Sequence, residues 1–298
     1  MTQKTINNPV TIEGTGLHTN KKSVVKLFPA DIDSGILFQR TDLENRPLVK
    51  AIEKNTFAFN RSTSIKSGNA SISTIEHFMA CFTILGIDNI LVQVDAEEMP
   101  ILDGSALPIY NLLNNNLIEQ NKEKEFLTIK DDFEYFSGDS YVKVSPYNGF
   151  KIDIRVEYPY PIGVQEMTYD QEKDTELVKD IVSARTFVFL SELEFLLKNN
   201  LIKGGNFDNA LVFADKILTD DQSEYLCKMF NKSNIKVTDY GMLNNTTLRS
   251  PKELVCHKLL DMIGDLSLIG KSVKGHFTAY KPGHAVNSGI AKKIIGEE

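Results

Sequence analysis

The residues best suited to chemistry include a histidine and an aspartate that lie four residues apart late in the chain. His257 and Asp261 fall in a segment with helical periodicity, so their side chains emerge from one face with about 5–6 Å between their Cβ atoms. Imidazole nitrogen and carboxylate oxygen are both ligands of zinc, and a catalytic zinc typically has three protein ligands and one position open for water. The pair therefore needs a third ligand, for which His77 is the natural candidate among the five histidines.

Local patterns alone leave other interpretations of these residues open. Residues 73–76 match the S-x-x-E capping box, so Glu76 is either a catalytic base beside His77 or a cap for free amides at a helix start. His257, Asp261 and Asp265 are spaced at i, i+4 and i+8, which also suits a solvated polar stripe. The spacing by itself does not decide between these interpretations.

Three further features are weaker. His18 follows the glycine-containing turn 14–17, which either approaches a ligand or simply joins two strands. Residues 250–253 repeat the capping pattern with Pro251 at the first helical position, which predicts a helix start there. His276 lies in an alternating strand and is assigned no role.

The elements that must position these residues follow a similar order in both halves of the chain. The first half predicts strands at 23–28 and 35–38, a helix at 75–85 that ends at Gly86, a strand at 89–95 and a helix at 107–113. The second half predicts strands at 126–129, 141–144 and 151–156, a helix at 252–269, a strand at 273–280 and a helix starting near His284. The polar segment 114–125 predicts a break, which divides the chain into domains 1–122 and 123–298.

One segment has no counterpart in the first half. A strand at 185–190, a helix at 191–199 and a strand at 210–213 predict a βαβ insertion in the second domain, near 185–213. The helix carries more apolar surface than one small helix needs to bury. It either packs on its own domain or lines a channel for a hydrophobic ligand.

The composition is that of a chain that buries a core. Hydrophobic residues make up 42% and charged residues 24% of the 298 residues, which excludes a disordered tail, a collagen-like repeat and a coiled coil. The net charge of −7 disfavours a nucleic-acid binder. We expect no transmembrane segment, because no apolar stretch approaches about 18 residues, and the N-terminus has no secretion signal. The three cysteines lack C-x-x-C spacing, so we expect a reducing, cytoplasmic location.

The motifs together closely resemble those of one family, the zinc-dependent UDP-3-O-acyl-N-acetylglucosamine deacetylases of lipid A biosynthesis. The resemblance covers nearly the whole chain, from His18 to His284. Its motifs occur in the family's order, at residues 74–77 with 86–89, 100–106, 184–187, 204–210, 257–265 and 277–285.

The resemblance implies an α+β fold of two similar domains, each with a β-sheet layered against helices, and an active site between the domains. It implies that His77, His257 and Asp261 hold Zn²⁺, for which Fe²⁺ could substitute. It also implies that Glu76 is the general base. His284 would be the electropositive partner, with Lys258 nearby, while Thr186 would help to hold the oxyanion and Asp265 would orient His284.

The resemblance further implies the reaction and its substrate. The N-acetyl group of UDP-3-O-acyl-N-acetylglucosamine would be hydrolysed to acetate, the committed step of lipid A biosynthesis, by a protein that we expect to be a monomer. The βαβ insertion would form the passage for the acyl chain. The substrate-binding residues would be His18, Phe187, Leu190, Leu193, Gly205, Ala210 and Val212.

Four positions depart from the family's usual residues, and none of them is an expected metal ligand or proton-transfer residue. They could alter nucleotide contacts or the width of the acyl passage, and they are Asn20, Val188, Cys256 and Pro282.

Three competing functions are weaker. A non-catalytic nucleotide-sugar-binding relative would lack some of the expected catalytic residues, all of which are present. A zinc peptidase would need H-E-x-x-H, which is absent. A fusion with the dehydratase that acts later on a related lipid substrate would need a second catalytic module, for which we expect no room in 298 residues.

Overall fold

The computed structural model of the protein has a mixed α+β fold, as predicted, and describes residues 1–58, 61–199, 201–215, 218–230, 233–237, 241–243 and 247–296. The helices in these ranges are α1 (Glu76–Leu85), α2 (Leu107–Leu113), α3 (Leu177–Ser183), α4 (Leu190–Lys198), α5 (Asp220–Phe230), α6 (Glu253–Leu266) and α7 (His284–Ile295). None of these helices is long and apolar enough to span a bilayer.

The described residues of the first half of the chain form three sheets. Its strands are β1 (Thr2–Ile6), β2 (Val10–Thr15), β3 (Lys22–Pro29), β4 (Ile36–Arg40), β5 (Leu48–Lys50), β6 (Thr56–Ala58), β7 (Ser64–Ser67), β8 (Ala70–Ile72), β9 (Ile90–Val94) and β10 (Leu117–Glu123). The main sheet has the order β2-β3-β9-β4-β5, in which only β4 and β9 are parallel. A three-stranded sheet β6-β7-β8 and the antiparallel pair β1-β10 complete this half.

The main sheet of the second half repeats the same path. The strands of this half are β11 (Phe126–Thr128), β12 (Phe133–Ser137), β13 (Ser140–Ser145), β14 (Phe150–Glu157), β15 (Val164–Asp170), β16 (Phe187–Phe189), β17 (Leu211–Phe213) and β18 (Ser272–Tyr280). The order β12-β13-β18-β14-β15 again has one parallel pair, β14 with β18, and β11 lies beside β18. The division of the chain at residues 122 and 123 stays a prediction.

Register places equivalent buried residues at the centre of both sheets. Val92 of β9 lies opposite Leu27 on one side and Phe38 on the other, and all three are fully buried. Phe277 of β18 holds the corresponding place in the second sheet and is also fully buried. Alternation along these strands directs one face of each sheet into the core.

The two main sheets are covered by helices, of which α1 and α6 pack against each other. Both are buried along nearly their whole length, as expected of helices that lie between layers. Gly264 makes the close approach possible, because a Cβ atom there would lie 2.3 Å from the backbone oxygen of Glu76. This contact places the start of α1 against the last turn of α6, next to the turns that carry His257 and Asp261.

The βαβ insertion is present as predicted. β16 and β17 pair in parallel, and α4 lies between them in sequence, beginning directly after β16. The loop between α4 and β17 packs on the turn near His18. Gly204 donates its backbone N–H to the carbonyl of Leu17 at 2.9 Å, and a Cβ atom on Gly204 would lie 2.2 Å from the carbonyl oxygen of Gly16. The glycine is therefore required by this close contact.

Three local predictions are wrong. The residue before α1 is Ile75, and no side chain caps this helix; Thr74 instead adopts φ +59°, an uncommon conformation for a β-branched residue. Helix α6 follows Lys252 without a side-chain cap, so Pro251 lies outside the helix. The polar segment predicted as an irregular break contains a strand, β10, which pairs with β1, while the domain boundary predicted there stays a prediction.

Candidate active site

The three predicted metal ligands meet at the contact of α1 with α6. His77 is in the first turn of α1, and His257 and Asp261 are one turn apart on α6. Their ligand atoms all lie within 4.8 Å of one another. The Oδ1 atom of Asp261 is 3.5 Å from Nε2 of His257 and 4.0 Å from Nε2 of His77. One buried carboxylate oxygen therefore faces two imidazole nitrogens.

The chemistry of these atoms fits a divalent cation. Nδ1 of His257 donates to the carbonyl of Ala184 at 3.2 Å, which leaves the lone pair of Nε2 directed at the group. Burial lowers the pKa of His77 and lowers that of His257 to about 3, so both rings are neutral. The Oδ1 atom of Asp261 is buried and has no hydrogen-bond partner among the residues that the structure describes. An unpaired buried oxygen beside two neutral imidazoles is the environment that a metal ion satisfies.

Lys258 keeps Asp261 ionised. Its ammonium donates to Oδ2 of Asp261 at 2.9 Å and lies 5.5 Å from the ring centroid of Phe187. Burial by itself would raise the pKa of Asp261, but the adjacent His257 and Lys258 outweigh it and lower that pKa below its usual range. Asp261 in turn raises the pKa of Lys258, although burial opposes this. The carboxylate is thus charged with its other oxygen free.

Glu76 is a buried acid beside the ligands. It is 4% exposed, and burial raises its pKa to about 7. One of its oxygens, Oε2, accepts a hydrogen bond from the backbone N–H of Thr63 at 3.0 Å. Neighbouring side chains on a helix are rotated by about 100° around its axis, so Glu76 and His77 point in different directions. A carboxylate with this pKa suits proton transfer near neutral pH.

His284 is held by Asp265. It is the first residue of α7, and its Nδ1 donates to Oδ2 of Asp265 at 2.9 Å. Asn287 donates to the same oxygen at 2.8 Å. Burial by itself would lower the pKa of His284, but the charge and hydrogen bond of Asp265 outweigh it and raise the pKa to about 9. His284 is therefore protonated at neutral pH.

A cavity of about 170 Å³ adjoins this group, roughly ten times what one water molecule needs. Its lining includes all predicted site residues except two, together with Leu17, Arg61, Thr74, Ile101, Val188, Leu196, Ile202 and Asn206. Asp265 is one exception, because it lies behind His284. Leu190 is the other: it is fully buried among apolar residues that include Leu226 and Leu243, so the structure does not support its predicted substrate contact.

Four residues that support the site without lining the cavity have no predicted role. Glu98 accepts hydrogen bonds from the backbone of His18 and Thr19 at 2.8 Å each, and so fixes the turn beside the cavity. Thr63 contacts three polar residues of the site. The four are Thr63, Glu98, Gly264 and Asn287. Only Gly264 carried a local signal, since a glycine inside a helical pattern often has a packing reason.

Comparison with known proteins gives a consistent result. A family model described as UDP-3-O-acyl N-acetylglycosamine deacetylase matches residues 3–228 and 228–296. The chain is 37% identical over 300 residues to the UDP-3-O-acyl-N-acetylglucosamine deacetylase of Thioalkalivibrio sulfidiphilus, covering 99% of this chain and 90% of that protein. It is 36% identical over 297 residues to the enzyme of the same name from Acidithiobacillus ferrooxidans, covering 98% and 90%.

A longer relative also matches. The chain is 38% identical over 298 residues to the bifunctional enzyme LpxC/FabZ of Porphyromonas gingivalis, covering 99% of this chain and 64% of that protein. The chain thus spans less than two thirds of that relative but about nine tenths of the relatives above. These matches confirm the resemblance seen in the motifs: the chain belongs to the UDP-3-O-acyl N-acetylglycosamine deacetylase family.

Proposed function

We propose that the protein is a metal-dependent amidohydrolase that removes the N-acetyl group of UDP-3-O-acyl-N-acetylglucosamine. The products are UDP-3-O-acyl-glucosamine and acetate, and the reaction belongs to lipid A biosynthesis. The observation that carries this proposal is the buried group of His77, His257 and Asp261, flanked by an acid of raised pKa and a protonated histidine. Family membership supports the same reaction. A non-catalytic role is not favoured, because the full set of reactive side chains adjoins one cavity.

The metal in this proposal is zinc, held by His77, His257 and Asp261, with Fe²⁺ as a possible substitute. When bound, zinc lowers the pKa of a coordinated water from about 15.7 to about 7 and polarises the amide carbonyl. The nitrogen and oxygen donors of this group suit either metal.

Glu76 accepts the proton of the attacking water. Its position next to His77 in sequence, but in a different direction on the helix, allows it to reach the water without being a ligand. Burial holds its pKa near the pH of the cell, which is where a general base is most effective.

His284 and Thr186 stabilise the negative charge that develops on the carbonyl oxygen. Both line the cavity, and His284 carries the positive charge that Asp265 supports. Removal of one such donor typically costs 10²–10³ in rate, about 3–4 kcal/mol. The imidazolium of His284 also provides a proton for the departing amine, and Lys258 meets phosphate or hydroxyl groups of the substrate.

The apolar part of the cavity takes the acyl chain. Leu193, Ala210 and Val212 of the insertion line it, with Phe187 nearer the metal ligands. His18 and Gly205 lie on the wall where the insertion meets the first half of the chain. We further propose that the protein acts as a monomer in the cytoplasm, with domains at 1–122 and 123–298.

The test is metal analysis of the purified protein combined with acetate release from UDP-3-O-acyl-N-acetylglucosamine of graded acyl length. We expect about one zinc or iron ion for each chain and a preference for one range of acyl lengths. Metal-loaded protein that releases no acetate at any length would refute the proposed reaction.

A further inference from the structure

Thr63 lies immediately before β7 in the first half of the chain and is 1% exposed. It is not among the described residues that line the cavity. It nevertheless forms hydrogen bonds with residues on both sides of the reacting centre. Its contacts come from two different parts of the residue, the peptide N–H and the side-chain hydroxyl.

The peptide N–H of Thr63 holds the proposed base. It donates to Oε2 of Glu76 at 3.0 Å, and both residues are buried. A buried carboxylate that accepts a backbone hydrogen bond has a fixed orientation. This contact is made by the main chain, so it does not depend on the type of residue at position 63.

The hydroxyl of Thr63 holds the proposed acid. It donates to Oδ1 of Asp265 at 2.5 Å, while its oxygen lies 3.1 Å from Nδ1 of His284. A hydroxyl is suited to this place because it is a donor and an acceptor at once. The other oxygen of Asp265 accepts from His284 and Asn287, so the carboxylate has partners on both oxygens. Without the hydroxyl, Oδ1 of Asp265 would lose this partner.

We propose that Thr63 is a positioning residue that fixes the relative positions of the base, Glu76, and the acid, His284. Glu76 belongs to α1, whereas Asp265 and His284 belong to α6 and α7, and Thr63 bonds to all three. The β-branch of threonine restricts χ1, which keeps the hydroxyl directed at Asp265. This inference rests on the proposed function, because it assigns to Glu76 and His284 the proton transfers described above.

The substitution Thr63→Val tests the role of the hydroxyl. Valine keeps the β-branch and the peptide N–H, so the contact to Glu76 remains while the contact to Asp265 is lost. We expect kcat to fall about 10- to 100-fold, the scale of a small misplacement of a catalytic group, with KM within about twofold of the parent. Metal content should not change. Thr63→Ser, which restores the hydroxyl, should recover kcat to within about threefold of the parent.

The matched control is Thr83→Val. Thr83 is on α1, its hydroxyl donates to the carbonyl of Met79, and it is not among the described residues that line the cavity. We expect unchanged kcat and KM. If Thr63→Val does not fold, Thr63→Ala removes the same hydroxyl with less crowding and carries the same expectation.

A double variant measures independently whether Thr63 acts through Asp265. If Thr63 acts through Asp265, the double variant Thr63→Val with Asp265→Asn should be no slower than Asp265→Asn by more than about threefold. Multiplicative losses would overturn the inference, as would an unchanged kcat in Thr63→Val, a higher KM alone, or no recovery with Thr63→Ser. Failure of the proposed function is distinguishable, because the metal-loaded parent would then release no acetate.

Discussion

The two walls of the cavity differ in how their side chains are held. We define the metal wall as the side chains of His77, His257 and Asp261. The insertion wall consists of the side chains of Leu193, Ala210 and Val212. The metal wall lies on two helices that approach each other closely at Gly264, and directional hydrogen bonds hold Nδ1 of His257 and Oδ2 of Asp261 at 3.2 and 2.9 Å. The insertion wall presents apolar groups, and the insertion that carries it is joined to the first half of the chain by backbone hydrogen bonds from Lys203 and Gly204.

This difference predicts how each wall responds to change. Directional contacts fail when one atom is removed, so substitutions in or beside the metal wall should abolish metal binding or lower kcat. Apolar contacts depend mainly on volume, so substitutions in the insertion wall should change which acyl chains fit. Four predictions test this comparison.

The largest effect is expected for His257→Ala. The variant removes one of the three proposed ligands, so we expect metal content near zero and no measurable acetate release. His276→Ala is the matched control, because His276 lies on β18 and pairs with Asp153 away from the site. Full metal occupancy in His257→Ala, measured by elemental analysis, would show that the ligand set is incorrect.

Glu76→Ala should separate metal binding from proton transfer. We expect full metal content and a rate lower by about 10²–10⁴, the usual contribution of a general base. Glu97→Ala serves as control, since Glu97 is an exposed acid paired with Lys21. A rate equal to that of the parent would contradict the assignment of Glu76.

The pH profile of kcat/KM tests the charge states of Glu76 and His284, which lie beside the metal wall. Activity should rise as Glu76 loses its proton and fall as His284 loses its own, since the pKa values are raised to about 7 and about 9. A bound cation lowers the pKa of Glu76, so the rising limb should lie at or below about pH 7, with each limb changing about tenfold per pH unit. His284→Gln should lose the falling limb, and a retained limb would assign it to another group.

Much of the metal wall could be predicted from the sequence because its signals are local. The i, i+4 spacing of His257 and Asp261 places both on one helical face, and the helix that carries His77 ends at Gly86, which has φ +71°. The glycine at 264 also lies within a recognisable motif. Short-range periodicity is sufficient where one helix supplies two ligands.

Thr63 and Glu98 could not be predicted, because their partners are distant in sequence. Thr63 forms a hydrogen bond with Asp265, which lies 202 positions away in sequence, and Glu98 forms one with His18, which lies 80 positions away. No pattern within a window of a few residues contains such pairs. The capping pattern at 73–76 misled for the same reason, since the carboxylate of Glu76 is bound by the amide of Thr63 rather than by its own helix start.

The insertion wall was only partly predictable from composition. Leu190 and Leu193 both looked suited to an acyl passage, yet Leu190 is enclosed by the apolar cluster behind the wall and only Leu193 lines the cavity. Hydrophobicity indicates that a residue is buried but not which neighbour buries it. The packing of α4 determines which of the two leucines faces the cavity.

The smallest effect is expected for Leu193→Trp, which tests the insertion wall. Leu193 is 1% exposed and lines the cavity, so the larger indole should shorten the space for the acyl chain without touching the metal ligands. We expect kcat/KM for long acyl chains to fall about five- to tenfold more than for short ones, in the range that a few methylene contacts supply. Phe195→Trp is the control, because Phe195 lies on the same helix and is 61% exposed. A uniform loss at all chain lengths would place the acyl chain elsewhere and remove the contrast between the two walls.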